Sequence, residues 1–286
     1  VTVFGCEFSD CRHPTPATVA CTGLRLTTCT YCLVSSCTCF SNWWSGIETV
    51  NGSYIRITGC KVYDNRGSQI GVNSLYSTCD GNIVWHTYSS GAGEDGYCGI
   101  DVGHSGVYPA DGTVVSNNII VGFNVIITPN DYCAGIVVNA SADIDLVGNS
   151  IYNCRKGFHV ADSFTSCNIR NNIVVNPTLY GIYAYGSGKC NASDNHIHTT
   201  VSGCIGIGLV SCTGSLITGN TLEVNNGYGI QSNGCSNISL TNNYITATAG
   251  NYGIHAHNNS SKISVRGNRI VGTYSASAIN LVANDS

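Results

Sequence analysis

The chain of 286 residues is 43% hydrophobic but only 10% charged, with 34 glycines and a net charge of −4. Its 12 Lys plus Arg cannot neutralise a run of phosphates, which argues against a nucleic-acid partner, and no apolar run reaches the roughly 18 residues of a membrane-spanning helix.

A repeat starts in the first coils, though blurred. Val34-Ser35-Ser36-Cys37 returns as Ile57-Thr58-Gly59-Cys60, and Gly46-Ile47 returns as Gln69-Ile70. His13, Pro14 and Pro16 form a loop in the first coil. Trp43-Trp44, just before Gly46, falls at a corner and is expected to be partly exposed. The pair either plugs the coil edge or offers rings on which a sugar can stack.

The middle breaks the rhythm. Asn82, Asn118 and Asn149 are 36 and 31 residues apart, and Gly99 to Gly135 is a step of 36. About a dozen extra residues therefore enter each of two neighbouring coils, at His86 to Tyr97, Val102 to Asp111 and Val121 to Tyr132. Extra length in a solenoid goes into loops on one face, often the binding face. These loops concentrate His86, Glu94, Asp95, Tyr97, His104 and Asp131.

From Asn149 onward the pattern is regular. Pairs ending in Asn (Asn171-Asn172, Asp194-Asn195, Gly219-Asn220, Asn242-Asn243, Gly267-Asn268) recur at steps of 23, 25, 23 and 25 residues. About ten residues after each comes a small residue followed by Ile, at Gly181, Gly206, Gly229, Gly253 and Ala278. The intervening segments alternate and are rich in Val, Ile, Tyr and Thr, with no helical stripe. A fixed period of this size, with three short strands per turn, predicts an all-β parallel β-helix of about ten to eleven coils over residues 1–286, read as one domain. Asn suits its corner because it tolerates left-handed backbone and its amide can bond the next coil in a ladder.

The 17 cysteines fit the same scheme. Cys37 and Cys60 occupy the place of the Asn mark, and Cys167 and Cys190, like Cys212 and Cys235, are 23 apart. Stacked core thiols explain them better than a metal site, since Cys29-x-x-Cys32 lacks a second matched pair. Spacing from coil to coil also falls within reach of a disulfide, so the redox compartment stays open. The chain starts at Val1, has no Met and ends at Ser286 without an evident cap; it reads as a mature product or a fragment of a longer polypeptide, or as one whose end a partner covers.

If the Ile of each mark points inward, the next residue points out. That outward column reads Glu48, Gly71, Asp101, Val137, His159, Tyr183, Gly208, Gln231, His255 and Asn280; two positions on, the same face shows Asn73, Asn139, Tyr185, Asn233 and His257. Glu48 and Asp101 are two coils apart, about 9.5 Å between backbones, near the upper range for carboxylates that work with a water between them. Glu94 and Asp95 precede Asp101 closely enough to lean over it. Asp101, Asp95, Glu94 and Glu48 are therefore the candidate catalytic acids, against the plainer reading that Asp and Gly simply make turns. His104, His159, Tyr183, Tyr185, Trp43, Trp44, Tyr97 and Arg155 are the candidate sugar contacts. A lyase would instead use Arg155 and Lys156 as the basic groups, with Ca²⁺ on acids; a solvated turn is the bland alternative for that pair. His255 and His257 lack a third ligand and read as surface residues, so no metal site is expected.

With the coils laid out, the repeated Asn-x-Ile and Gly-Ile marks resemble those of the right-handed parallel β-helix superfamily of pectate lyases, polygalacturonases and bacteriophage tailspikes. The polygalacturonase set of Asn-x-Asp, Asp-Asp, Gly-His-Gly and Arg-x-Lys is not present as a set. The Gly-rich, Asn-rich, low-charge coils look most like a tailspike β-helix. That resemblance implies a single-stranded right-handed solenoid, a homo-trimer, a virion or extracellular setting, and a bacterial surface polysaccharide as ligand and often substrate, with no cofactor. Two alternatives remain beside it: a silent polysaccharide-binding or adhesive domain, and a structural fibre.

Overall fold

The computed structural model describes residues 1–12, 21–87, 98–103, 109–124, 133–161, 164–186 and 188–282. It is a right-handed parallel β-helix, without a helix among those residues. Each coil contributes a first strand to an 11-stranded sheet running from Thr2–Phe4 to Ser264–Arg266. A second and a third strand of each coil join a 20-stranded sheet. In the last two coils these two strands run on without a break, as Tyr244–His257 and Arg269–Leu281.

The register is the one the marks predict. Val34 pairs with Ile57, and Ile47 with Ile70. In the third strands Ile100 pairs with Ile136, Phe158 with Ile182, Ile207 with Ile230, and Ile254 with Ile279. The inward residues of all three strands form one continuous bore of Ile, Val, Leu, Phe and Cys.

Each Asn mark divides into two jobs. The second residue turns inward: Asn82, Asn118, Asn149, Asn172, Asn195, Asn220, Asn243 and Asn268 form a ladder in which each Nδ2 donates to the next Oδ1 at 2.8–3.1 Å. The first residue takes the left-handed backbone, as at Asn117, Asn171, Asp194 and Asn242 (φ 54–56°). The sequence reading gave both properties to one Asn; the structure assigns them to neighbours. Cys60 does stand in the ladder position, its N–H donating to Asn82 Oδ1 at 2.9 Å.

The Gly of the Gly-Ile mark serves close packing. A Cβ at Gly181 would lie 2.5 Å from Ile197 Cγ2 and 2.6 Å from Gly206 O. None of the 17 cysteines is in a disulfide, and most are buried in the bore or beside it. Burial pushes the Cys190 thiol up to about 12 and the Cys60 thiol up to about 11, so these are packing groups, not thiolate nucleophiles.

Candidate functional site

The outward column of the third strands exists residue for residue. Glu48 pairs with Gly71, Gly71 with Asp101, Asp101 with Val137, Val137 with His159 and His159 with Tyr183. It continues through Gly208, Gln231 and His255 to Asn280. Strand alternation places all ten positions on one face, but their surroundings divide that face in two.

At the acid end, Glu48 is half-buried. Its Oε2 accepts from the Thr22 hydroxyl at 3.3 Å and pairs with Arg25 Nε at 3.4 Å, Arg25 being its partner in the preceding coil. Asp101 is 8% exposed, and Asn139 Nδ2 donates to its Oδ1 at 3.2 Å. Between the two acids stands Gly71, where an added Cβ would meet Glu48 Cγ at 3.4 Å and Asn73 Nδ2 at 3.6 Å, ordinary contacts. Gly71 itself contributes no side chain between the carboxylates, whose backbones are about 9.5 Å apart at the usual strand spacing.

The next two coils are covered over. Val137 points outward yet is buried, and with Cys98 and Ala134 it forms a small apolar cluster separate from the bore. Lys156 is also buried, 1% exposed. Its Nζ lies 3.4 Å from His159 Nδ1 and 5.1 Å from the centre of the Tyr183 ring. The solvated-turn reading of Arg155-Lys156 is thus wrong for Lys156; Arg155 is half-buried. His159 is buried too, and burial, reinforced by the Lys156 charge, pulls its pKa down to about 3. It is a neutral imidazole at any ordinary pH.

Beyond His159 the face opens into aromatic and polar side chains. The Tyr180 and Tyr183 rings lie 4.5 Å apart, and Tyr180 covers Gly208, where a Cβ would come within 2.7 Å of its ring. Tyr228, Tyr252, His255 and His257 form a stack with ring centres 4.4–5.7 Å apart. Tyr185 is 48% exposed. Trp44 is exposed as expected, but the Arg66 guanidinium lies 5.0 Å over the Trp43 ring and occupies one of its faces. Glu94, Asp95, Tyr97 and His104 lie outside the described residues.

Sequence reasoning missed Tyr180, Tyr228 and Tyr252, which lead into the third strands three residues before the outward column. It also missed a cleft of about 360 Å³ on the second strands, lined by His198, Thr200, Glu223, Asn225 and Thr246. There Glu223 Oε2 lies 2.7 Å from His198 Nδ1, and Oε1 lies 3.6 Å from His196 Nε2. The pattern His196-x-His198, with Glu223 one coil later, was the available signal.

Two family profiles match the chain. One, described as a right-handed β-helix region, covers residues 1–120; the other, described as periplasmic copper-binding protein (NosD), covers residues 99–281, well over half of the chain. The chain belongs to the NosD family. No curated protein matches it in sequence. Among solved structures, PfbA, a surface adhesin of Streptococcus pneumoniae, superposes with a TM-score of 0.67 at 13% identity over 99% of this NosD-family chain and 79% of its own. The tailspike of E. coli bacteriophage HK620, solved with a pentasaccharide, gives 0.66 at 12% over 100% and 59%. The catalytic unit of an α-1,3-glucanase from Streptomyces thermodiastaticus gives 0.61 at 13% over 91% and 52%. The chain thus spans little more than half of the last two proteins, and at these identities the likeness concerns the fold.

Proposed function

We propose that the protein binds a polysaccharide along the outer face of its third strands and cleaves it where Glu48 and Asp101 flank Gly71. The observation that carries this reading is the column itself. It sets two carboxylates in one line with a glycine between them, in register with the Tyr, Gln and His side chains that stand beyond the covered coils of Val137 and His159. Backbones about 9.5 Å apart can carry carboxyl groups at the spacing of an inverting acid and base with a water between them. Glu48, paired with Arg25, and Asp101, which accepts from Asn139, would divide the roles of base and acid between them. Asp95 and Glu94 stay candidates from their place before Asp101. The tailspike, solved with a pentasaccharide, and the glucanase support a carbohydrate ligand, and the surface adhesin and the periplasmic family description support a setting outside the cytoplasm. Every residue invoked belongs to one chain, so the reading does not depend on the homo-trimer that the tailspike resemblance implies.

The copper of the family description does not fit the described residues. No three His, Cys, Asp or Glu side chains gather there as a metal group, Glu223 is already shared by two imidazoles, and the His255 and His257 rings lie face to face. No step is assigned to a metal here.

The test is release of reducing ends, with ultraviolet absorbance for unsaturated products, from a panel of bacterial and plant polysaccharides. Asp101→Asn and Glu48→Gln should each lower release about 100-fold or more, with Asp95→Asn run alongside. Binding of a polysaccharide without any product overturns the catalytic part and leaves an adhesin. New ultraviolet absorbance turns the case to a lyase with Arg155 and Lys156 as its basic groups; a chelator then asks whether Ca²⁺ takes part.

A further inference from the structure

The second strands carry an outer face that none of this uses. Its eleven strands run in register from Glu7–Ser9 to the start of Arg269–Leu281. Across the middle, one outward column shows Ile83, Ile119, Ser150 and Ile173, and the three isoleucines are 40%, 44% and 42% exposed. Beside it runs a second column of Trp85, Val121, Tyr152 and Val175, all half-buried. The formal charges on these two columns stand only toward the ends: Glu7 on the first strand, Lys61 on the third, Glu223 on the ninth and Arg269 on the eleventh. Glu7, Lys61 and Arg269 make no ion pair among the described residues, while Glu223 holds His196 and His198.

We infer that this face joins two copies of the chain in an antiparallel, two-fold dimer whose axis runs along the sixth strand, Ser150–Tyr152. A half-turn about that strand sets the first strand against the eleventh and the third against the ninth. Glu7 then faces Arg269, and Lys61 reaches Glu223, twice each. Ile119 and Val121 face Ile173 and Val175, Trp85 lies over His198, and Tyr152 meets its own copy. The half-turn leaves strand directions aligned, as packed sheets prefer. A parallel arrangement would set each strand against its own copy, so that no opposite charges meet, and the charges select the antiparallel one. Eleven strands at about 4.8 Å give a strip about 50 Å long and, with its flanks, about 15 Å wide. That is on the order of 700 Å² per copy, near the roughly 800 Å² of a stable pair. The apolar part of the strip is its middle four strands, from Ile83 to Val175, flanked on both sides by polar and charged side chains as the core of an interface is by its rim.

Sedimentation velocity on the 286-residue chain at micromolar concentration should show a dimer. Lys61→Glu and Glu223→Lys should each weaken association about tenfold or more, and the double swap should restore it to within about threefold. Circular dichroism checks that each variant is folded. A photo-crosslinking residue at Tyr152 should join position 152 to position 152. A monomer, a trimer, a dimer indifferent to both single swaps, a double swap that fails to rescue, or crosslinks elsewhere would each overturn the proposal.

Discussion

The Asn ladder inside the coil and the outward column of the third strands are built by the same stacking, yet one is monotonous and the other changes in every coil. Inside, eight Asn follow one another, because each of the first seven amides bonds both its neighbour and a backbone carbonyl in a place water does not reach. A buried polar group left unpaired costs about 1–3 kcal/mol, so the position admits few substitutes. Outside, Glu, Gly, Asp, Val, His, Tyr and Gln succeed one another at the same register. Stacking fixes where a side chain stands; only solvent and neighbours decide what it must be. The variable column is therefore where specific chemistry can be written.

The contrast breaks most readily at the ladder. Asn195 donates to Asn220 Oδ1 at 2.9 Å and to Ile169 O at 2.8 Å, and accepts from Asn172. Asn195→Ala orphans several of these at once and should cost about 4 kcal/mol. Asn268→Ala, at the half-exposed end of the ladder, should cost about 1 kcal/mol. Urea unfolding of both variants measures the difference, and equal losses would mean that the ladder is not what makes the interior strict. Gly181→Ala comes next, at about 2–3 kcal/mol, because its Cβ would strike Ile197 and the Gly206 carbonyl. Intact stability in that variant would show that the coils can spread without penalty.

Interior strictness explains what the sequence made legible. The Asn and Gly-Ile marks repeat because every coil meets the same neighbour, so they gave the coil length, the register and all ten members of the outward column. Alternation gives direction, however, and says nothing of cover. Val137, Lys156 and His159 read as surface residues and are buried, beside the place where the period stretches from 23 to 36 and 31 residues. The Arg66 guanidinium over Trp43 was hidden for another reason: the two lie one coil apart at a corner where no strand register carries over. Other outer features were legible and passed over. Tyr31, Tyr54 and Tyr76 recur at steps of 23 and 22 residues, as do Phe40, Tyr63 and Trp85, and both sets are stacked ladders in the structure.

His159 stands on the outer column but should behave as an interior group. Its folded pKa lies near 3, below the 6.5 of an exposed imidazole, so the unfolded chain binds its proton first as the pH falls. Stability from this residue is complete above about pH 6.5 and drains away between there and pH 3. Between pH 7 and pH 5 the loss should be about 2 kcal/mol. His159→Gln should flatten that part of the profile when unfolding midpoints are compared at the two values. An unchanged slope would place His159 in contact with water and return it to the open half of the face.

The smallest effect is expected from the most exposed ladder. Tyr54 stacks between Tyr31 and Tyr76 at 5.1 and 5.5 Å, with all three backbones in the left-handed region at φ 50–55°. That conformation costs a residue with a Cβ about 1 kcal/mol, less for Asn, which is enriched there. Ring stacking returns about 0.5–1.5 kcal/mol. In Tyr54→Asn the relieved backbone and the lost stacking therefore nearly cancel, and stability should change by no more than about 0.5 kcal/mol. A loss above about 2 kcal/mol would mean that an exposed outer ladder constrains the coil as tightly as the buried Asn ladder does, and the division between a fixed inside and a free outside would fail at that corner.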